Sequence, residues 1–286
     1  MKKIITSFLG LGICLTPLTV MLMAQSTWGQ TQNSQAQEAI LIEEAIKVQE
    51  QGLKLIQQGE HQQAVQKLQQ ALTIVRKLKY QELEAKALLG LGLYYEYLGE
   101  KQKALDFLNQ ALPLFRAVGD RKSEAVSLYH IGKAYNDLEE KQKALDFFNQ
   151  ALPLSRAVGD RKSEAFTLAN LGQIYFDLGQ KQKALDFFNQ ALPIFRAVGD
   201  RDSEAFTLAS LGEIYFDLGQ KQKALDFFNQ ALFIFRAVGD RKSEASILGI
   251  IGAVHLTLAV RRFNPNVVIQ VFPDISPTFP FPKKRG

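Results

Sequence analysis

The chain has 286 residues, 47% hydrophobic and 22% charged, enough for one or two compact domains or for one elongated repeat array. Its net charge of +5 comes from the two ends, where Lys2, Lys3, Arg261, Arg262, Lys283, Lys284 and Arg285 lie; between Gln30 and Leu258 acids and bases nearly cancel. A nucleic-acid binder needs a continuous basic face, so that class is excluded, and the lone Cys14 offers neither a disulfide framework nor a Cys-based metal site.

Residues 1–29 pair Lys2-Lys3 with an apolar run from Ile4 to Met23 and then small residues, the pattern of a secretory signal. Cleavage after Ala24, Ser26 or Gly29 fits the pattern. The run is also just long enough to span a bilayer, so an uncleaved anchor is the alternative. Bulky Ile13 before Cys14 argues against lipid attachment. On either reading the chain is exported, periplasmic or extracellular if cleaved and membrane-anchored if not. A polar linker follows at 30–37.

From 38 to 258 the chain repeats itself every 40 residues. Lys-Gln-Lys-Ala-Leu-Asp-Phe-Phe-Asn-Gln-Ala-Leu begins at Lys141, Lys181 and Lys221, nearly unchanged at Lys101 and more weakly at His61. Ala64, Ala104, Ala144, Ala184 and Ala224 mark one register; Gly52, Gly92, Gly132, Gly172, Gly212 and Gly252 mark another. A fixed period of this size signals stacked supersecondary units. In the fourth unit Ala165, Leu168, Leu171, Ile174, Tyr175 and Leu178 make one helical stripe, and Ala184, Leu185, Phe188, Ala191, Leu192 and Phe195 a second. Gly199 suits a helix C-cap and Asp200 the next N-cap. Gly172 and Ala184 clear the contact between the two helices, and Phe188 fills it. Pro113, Pro153 and Pro193 stand inside second helices, where a kink is expected with the carbonyls of Asn109, Asn149 and Asn189 unpaired.

The order Leu168, Leu171-Gly172, Tyr175, Leu178-Gly179, Ala184, Phe188, Ala191 resembles the tetratricopeptide repeat, with Leu168 where many members carry Trp. The 40-residue period is similar to that of kinesin light chains and of bacterial arrays joined to caspase-like (CHAT) peptidases. The resemblance implies an all-α fold: a right-handed superhelical solenoid of antiparallel helix pairs, about five and a half repeats long. It also implies protein or peptide partners, held by first helices that line a concave groove. The groove positions it assigns are Tyr129, Lys133, Asn136 and Asp137 in the third unit; Phe166, Asn170, Gln173, Phe176 and Asp177 in the fourth; and Phe206, Ser210, Glu213, Phe216 and Asp217 in the fifth. Differences between copies concentrate in first helices at these positions, whereas second helices are almost identical. Duplication followed by drift, with the phenylalanines packed between helices, is the alternative account.

Catalysis needs convergent groups. His61, His130 and His255 lie in different units without metal-ligand spacing, and every glycine of the array has a packing or capping purpose. Neither enzymatic activity nor a cofactor nor a metal is expected. Tyr95, Tyr135, Tyr175 and Tyr215 have the spacing of core packing rather than of a ligand ladder. Asp137, Asp177 and Asp217 would form a carboxylate ladder at the spacing of packed helices, about 8–10 Å, too wide for proton sharing. Such a ladder would suit a segment alternating Lys or Arg with apolar residues.

Two functional readings follow. One is an exported, non-catalytic scaffold for a partner protein. The other is a truncated or regulatory part of a peptidase system, presenting substrates to an enzyme domain carried elsewhere. Ser243 to Leu258 has the first-helix pattern, with Ile247, Leu248, Ile251, Val254 and Leu258 expected where a second helix would pack. The segment 259–286 is basic and proline-rich instead. Either that tail covers the last helix or two copies associate through their ends. A membrane partner requires the N-terminal run to remain uncleaved.

Overall fold

The computed structural model describes residues 36–52, 54–55 and 58–263. The signal or anchor, most of the linker and the tail beyond residue 263 lie outside these residues. No strand occurs among the described residues, and eleven helices follow in order. They are α1 (36–52), α2 (His61–Leu78), α3 (Gln81–Tyr97), α4 (Lys101–Val118), α5 (Arg121–Asp137), α6 (Lys141–Ala157), α7 (Arg161–Asp177), α8 (Lys181–Val198), α9 (Arg201–Asp217), α10 (Lys221–Val238) and α11 (Arg241–Phe263). The chain divides into two compact units, Met1–Ala87 and Leu88–Gly286.

In the first unit Ala45 and Val48 of α1 are buried, as are Ala64, Leu68, Ala71, Leu72 and Val75 of α2. Gly52 lets the two helices close: a Cβ there would stand 3.0 Å from the Leu68 side chain.

In the second unit the broadest contacts join each first helix to its own second helix, α5 to α6, α7 to α8 and α9 to α10. The glycine register explains the closeness. A Cβ on Gly132 would meet the Phe148 ring at 3.0 Å, on Gly172 the Phe188 ring at 3.1 Å, and on Gly212 the Phe228 ring at 2.6 Å. These rings are fully buried. Burying such a side chain stabilises the fold by roughly 1.5–3 kcal/mol, so one repeat stripe covered by its neighbours is what makes the array hold. The tyrosine line belongs to the same packing: Tyr95, Tyr135, Tyr175 and Tyr215 stack on Phe107, Phe147, Phe187 and Phe227 at 5.3–5.5 Å.

The joints between repeats carry the expected caps. Gly199 has φ +71°, its N–H reaches the Arg196 carbonyl, and the Asp200 N–H reaches that of Phe195, which closes α8. The carboxylates of Asp120, Asp160, Asp200 and Asp240 accept from the backbone N–H of Ser123, Ser163, Ser203 and Ser243. Beside each cap two arginines grip a glutamate: Arg116 and Arg121 hold Glu124 at 2.8 and 2.9 Å, and Arg156–Glu164–Arg161, Arg196–Glu204–Arg201 and Arg236–Glu244–Arg241 repeat the arrangement. Burial alone would raise the Glu124 carboxyl, but the bonds from Arg116 and Arg121 outweigh it and hold it low. The recurring Gly-Asp-Arg joint is thereby explained as structure.

Helices α4, α6 and α8 continue through Pro113, Pro153 and Pro193, none of which has an N–H to offer the carbonyl one turn back. Two expectations need correction. Leu178 is exposed, because it caps α7 at the turn instead of continuing the stripe. In α11, which extends past Leu258 to Phe263, Ile247 and Val254 are buried in the core of the fourth and fifth repeats, while Leu248 is exposed. The face of α11 that takes a second helix elsewhere is instead marked by Leu248 and Gly252; an added Cβ at Gly252 would meet nothing.

Candidate functional site

First helices touch across repeats, α5 against α7 and α7 against α9. The side chains proposed for a groove fall into three environments.

In the third repeat, Lys133 reaches Glu96 of α3, and the other Glu96 oxygen accepts from His130 Nδ1 at 2.7 Å. Burial would raise the Glu96 carboxyl; the His130 hydrogen bond and the charges of His130 and Lys133 prevail and lower it to about 2. Burial, with Glu96 adding to it, pushes the Tyr129 hydroxyl upward. That hydroxyl accepts from Asn170 at 3.4 Å. Asn136 and Asp137 are half-buried, and the Asp137 carbonyl accepts from Lys101.

In the fourth repeat, Asn170 is buried and donates to the Phe166 carbonyl at 2.8 Å. The Phe166 ring meets Phe195 edge-on at 5.2 Å. Gln173 Nε2 donates to Asp177 Oδ1 at 2.8 Å, and Lys141 pairs with Asp177 Oδ2 at 2.9 Å. Phe176 is half-buried against the core.

In the fifth repeat, Phe206 is only 8% exposed and lies edge-on to Phe235 at 5.1 Å, so it contributes to the core. Ser210 is buried as well. Phe216 is half-buried with the Lys221 ammonium 6.0 Å above its ring. Asp217 pairs with Lys181 at 3.2 Å. Glu213 is half-buried as a residue, but its Oε1 is sealed from solvent and has no hydrogen-bond partner. Burial first, then the negative charges of Asp217 and Asp177, hold the Glu213 carboxyl well above the ordinary range.

A lysine ladder runs beside the carboxylates, ion-paired with Asp177 and Asp217 and bonded to the backbone carbonyl of Asp137. Lys101, Lys141 and Lys181 each begin a second helix and reach Asp137, Asp177 and Asp217 one repeat later. Sequence reasoning overlooked these partners, and it overlooked Glu96. Both were within reach of the 40-residue register, which aligns Glu96 with Asn136, Phe176 and Phe216. A recess beside the α8–α9 joint is lined by Arg196, Arg201, Glu204, Leu208, Gln230 and the 69%-exposed Phe233, which stands where Pro193 is one repeat earlier. Its charges are those of the joint. Among the described residues no helix is long and apolar enough to cross a membrane, and no group of three or more His, Cys, Asp or Glu is placed to hold a metal ion.

A family model described as tetratricopeptide repeat matches residues 52–117, 123–197 and 163–237, more than half of the chain. No curated protein matches the sequence. Among solved structures, the apo form of RapI superposes with a TM-score of 0.67 at 19% identity, covering 77% of this chain and 85% of its own. The nearly identical TPR-like repeats of a kinesin-light-chain type protein from Podosopora anserina give 0.56 at 21% identity, over 70% and 98% of the two chains. A Rap protein complexed with competence and sporulation factor gives 0.53 at 17% identity, over 77% and 66%. At such identities these likenesses show the helix-pair fold alone.

Proposed function

Because the chain belongs to the tetratricopeptide repeat family, we propose that it is an exported binding scaffold whose joined face of α5, α7 and α9 holds an extended segment of another protein. One observation carries this reading. Second helices are almost identical from repeat to repeat, whereas most differences between the third, fourth and fifth repeats fall in first helices, several of them in the registers assigned to the groove. One such register holds Lys133, Gln173 and Glu213, and a second holds Asn136, Phe176 and Phe216. A similar fold solved with competence and sporulation factor bound supports a peptide as a suitable class of partner. Export is supported by the pattern of residues 1–29; the intact mass of the protein recovered from the envelope fraction tests it.

The binding face is tested with a fluorescent panel of basic and apolar octapeptides against the wild type and the Phe176→Ala and Phe216→Ala variants. Each ring is half-buried, so each substitution is expected to lower the melting temperature modestly. The loss of affinity should exceed that, roughly 1–3 kcal/mol for a ring at the centre of a contact. A fall in stability with unchanged peptide affinity would assign both rings to the core and overturn the reading.

A further inference from the structure

We propose that Glu213 is a subsite for a single lysine or arginine side chain of the bound segment, an inference that rests on the binding-scaffold reading above. The argument starts from a near-identity within the chain. Residues 161–200 and 201–240 differ only at Lys162/Asp202, Asn170/Ser210, Gln173/Glu213 and Pro193/Phe233. At the third of these positions, Gln173 uses its amide to bond Asp177 at 2.8 Å, so the fourth repeat completes its own polar surface. Glu213 has no N–H to offer Asp217, and the two acids stand one helical turn apart. In the third repeat the same register carries Lys133, a built-in cation for Glu96.

Two of the three neighbouring acids have a paired lysine, and Lys221 lies over the Phe216 ring, but no ion pair among the described residues reaches Glu213. Asp177 has Lys141, and Asp217 has Lys181. Glu213 Oε1 is enclosed without a partner, and the charges that act on it, from Asp217 and Asp177, are both negative. A buried carboxyl oxygen left unbonded carries the full cost of its desolvation. A cation arriving from outside supplies the missing partner and relieves the repulsion. The three carboxylates are not grouped so as to hold a metal ion, which leaves an organic cation. Phe176 and Phe216, half-buried in the neighbouring register, provide apolar surface for the methylenes of such a side chain. The subsite is therefore selective for charge, where the phenylalanines are selective for apolar bulk.

The full chain is titrated by calorimetry with acetyl-Ala-Lys-Phe-Lys-Ala-Lys-Phe-Lys-amide and with the same peptide acetylated at every lysine. The wild type should prefer the free-lysine peptide by about tenfold, and Glu213→Gln should reduce that preference to about twofold, the scale expected when one solvent-accessible charge pair is lost. Asp226→Asn, on a second helix away from this face, should behave as wild type. Because a cation favours the ionised carboxylate, binding of the free-lysine peptide to wild type should release a proton to buffer and tighten as pH rises. Neither behaviour should survive in Glu213→Gln. An undiminished lysine preference in Glu213→Gln overturns the subsite and leaves the scaffold reading standing. Failure of both peptides to bind wild type, or binding of both that ignores Phe176→Ala and Phe216→Ala, overturns the two readings together. Equal weakening of both peptides by Glu213→Gln also overturns the subsite, since it marks a structural role.

Discussion

The fourth and fifth repeats are nearly the same sequence, yet one finishes its polar surface and the other does not. In the fourth, Gln173 donates to Asp177, which Lys141 also neutralises. In the fifth, Glu213 replaces the amide, and its Oε1 is enclosed without a partner. The second and third repeats show the opposite choice, with Glu96 held between His130 and Lys133. The repeated frame is kept while the charge at one register changes, and the sign of that charge distinguishes the repeats. The joint, where Arg196 and Arg201 hold Glu204, is unaltered by that choice.

The contrast is broken most strongly at its satisfied end. Glu96→Ala strands Lys133 and leaves His130 without its acceptor. Unpairing a buried ion costs 3–5 kcal/mol, and these groups are partly solvated, so a loss of about 2 kcal/mol is expected in chemical denaturation. The pH profile separates the two acids. Glu96 is lowered from 4.5 to about 2, so its contribution is complete above pH 4.5 and disappears as pH falls toward 2. Glu213 is raised: the unfolded chain ionises near 4.5 while the folded carboxyl keeps its proton, so stability declines as pH rises above 4.5. Glu213→Gln should abolish the second slope and retain the first. Melting curves between pH 2 and 8 that show one shared slope would contradict both assignments.

A smaller effect sharpens the comparison between the frames themselves. A Cβ on Gly172 would stand 3.1 Å from the Phe188 ring, but on Gly212 it would stand 2.6 Å from that of Phe228. Overpacking costs about 1–3 kcal/mol and the helical preference of Ala returns about 1, so Gly212→Ala, the tighter contact, should destabilise by up to about 2 kcal/mol. Gly172→Ala should be nearly neutral. Equal losses at the two positions would mean that the ring of the fifth repeat yields as easily as that of the fourth. The smallest effect exchanges the polar register. Glu213→Gln should stabilise by about 1 kcal/mol through relief of an unbonded buried acid, and Gln173→Glu should destabilise by about as much, both read from denaturation midpoints.

Most of the frame was legible in the residues alone. The period of 40, the Gly and Ala registers, the caps at Asp120, Asp160, Asp200 and Asp240, and the phenylalanines that fill the glycine notches all have local or same-repeat causes. The candidate site was legible only as a set of positions. Lys133, Gln173 and Glu213 share one register of the repeat, but Phe206 stands in the core and Glu96 was missed. Leu178 was assigned to a stripe that the turn at Gly179 ends.

What the sequence determined by itself is thus whatever depends on backbone period and on steric fit within a repeat, because helix geometry makes residue spacing sufficient to know which side chains meet. Pairing of charge is different. Lys141 meets Asp177 across 36 residues, His130 meets Glu96 across 34, and the enclosed Oε1 of Glu213 meets no partner, although all of them are ionisable residues on the same repeated scaffold. Coulomb energies depend on distances between repeats and on burial, and stacking sets both. Only the tertiary structure could decide which carboxylate was left without a cation.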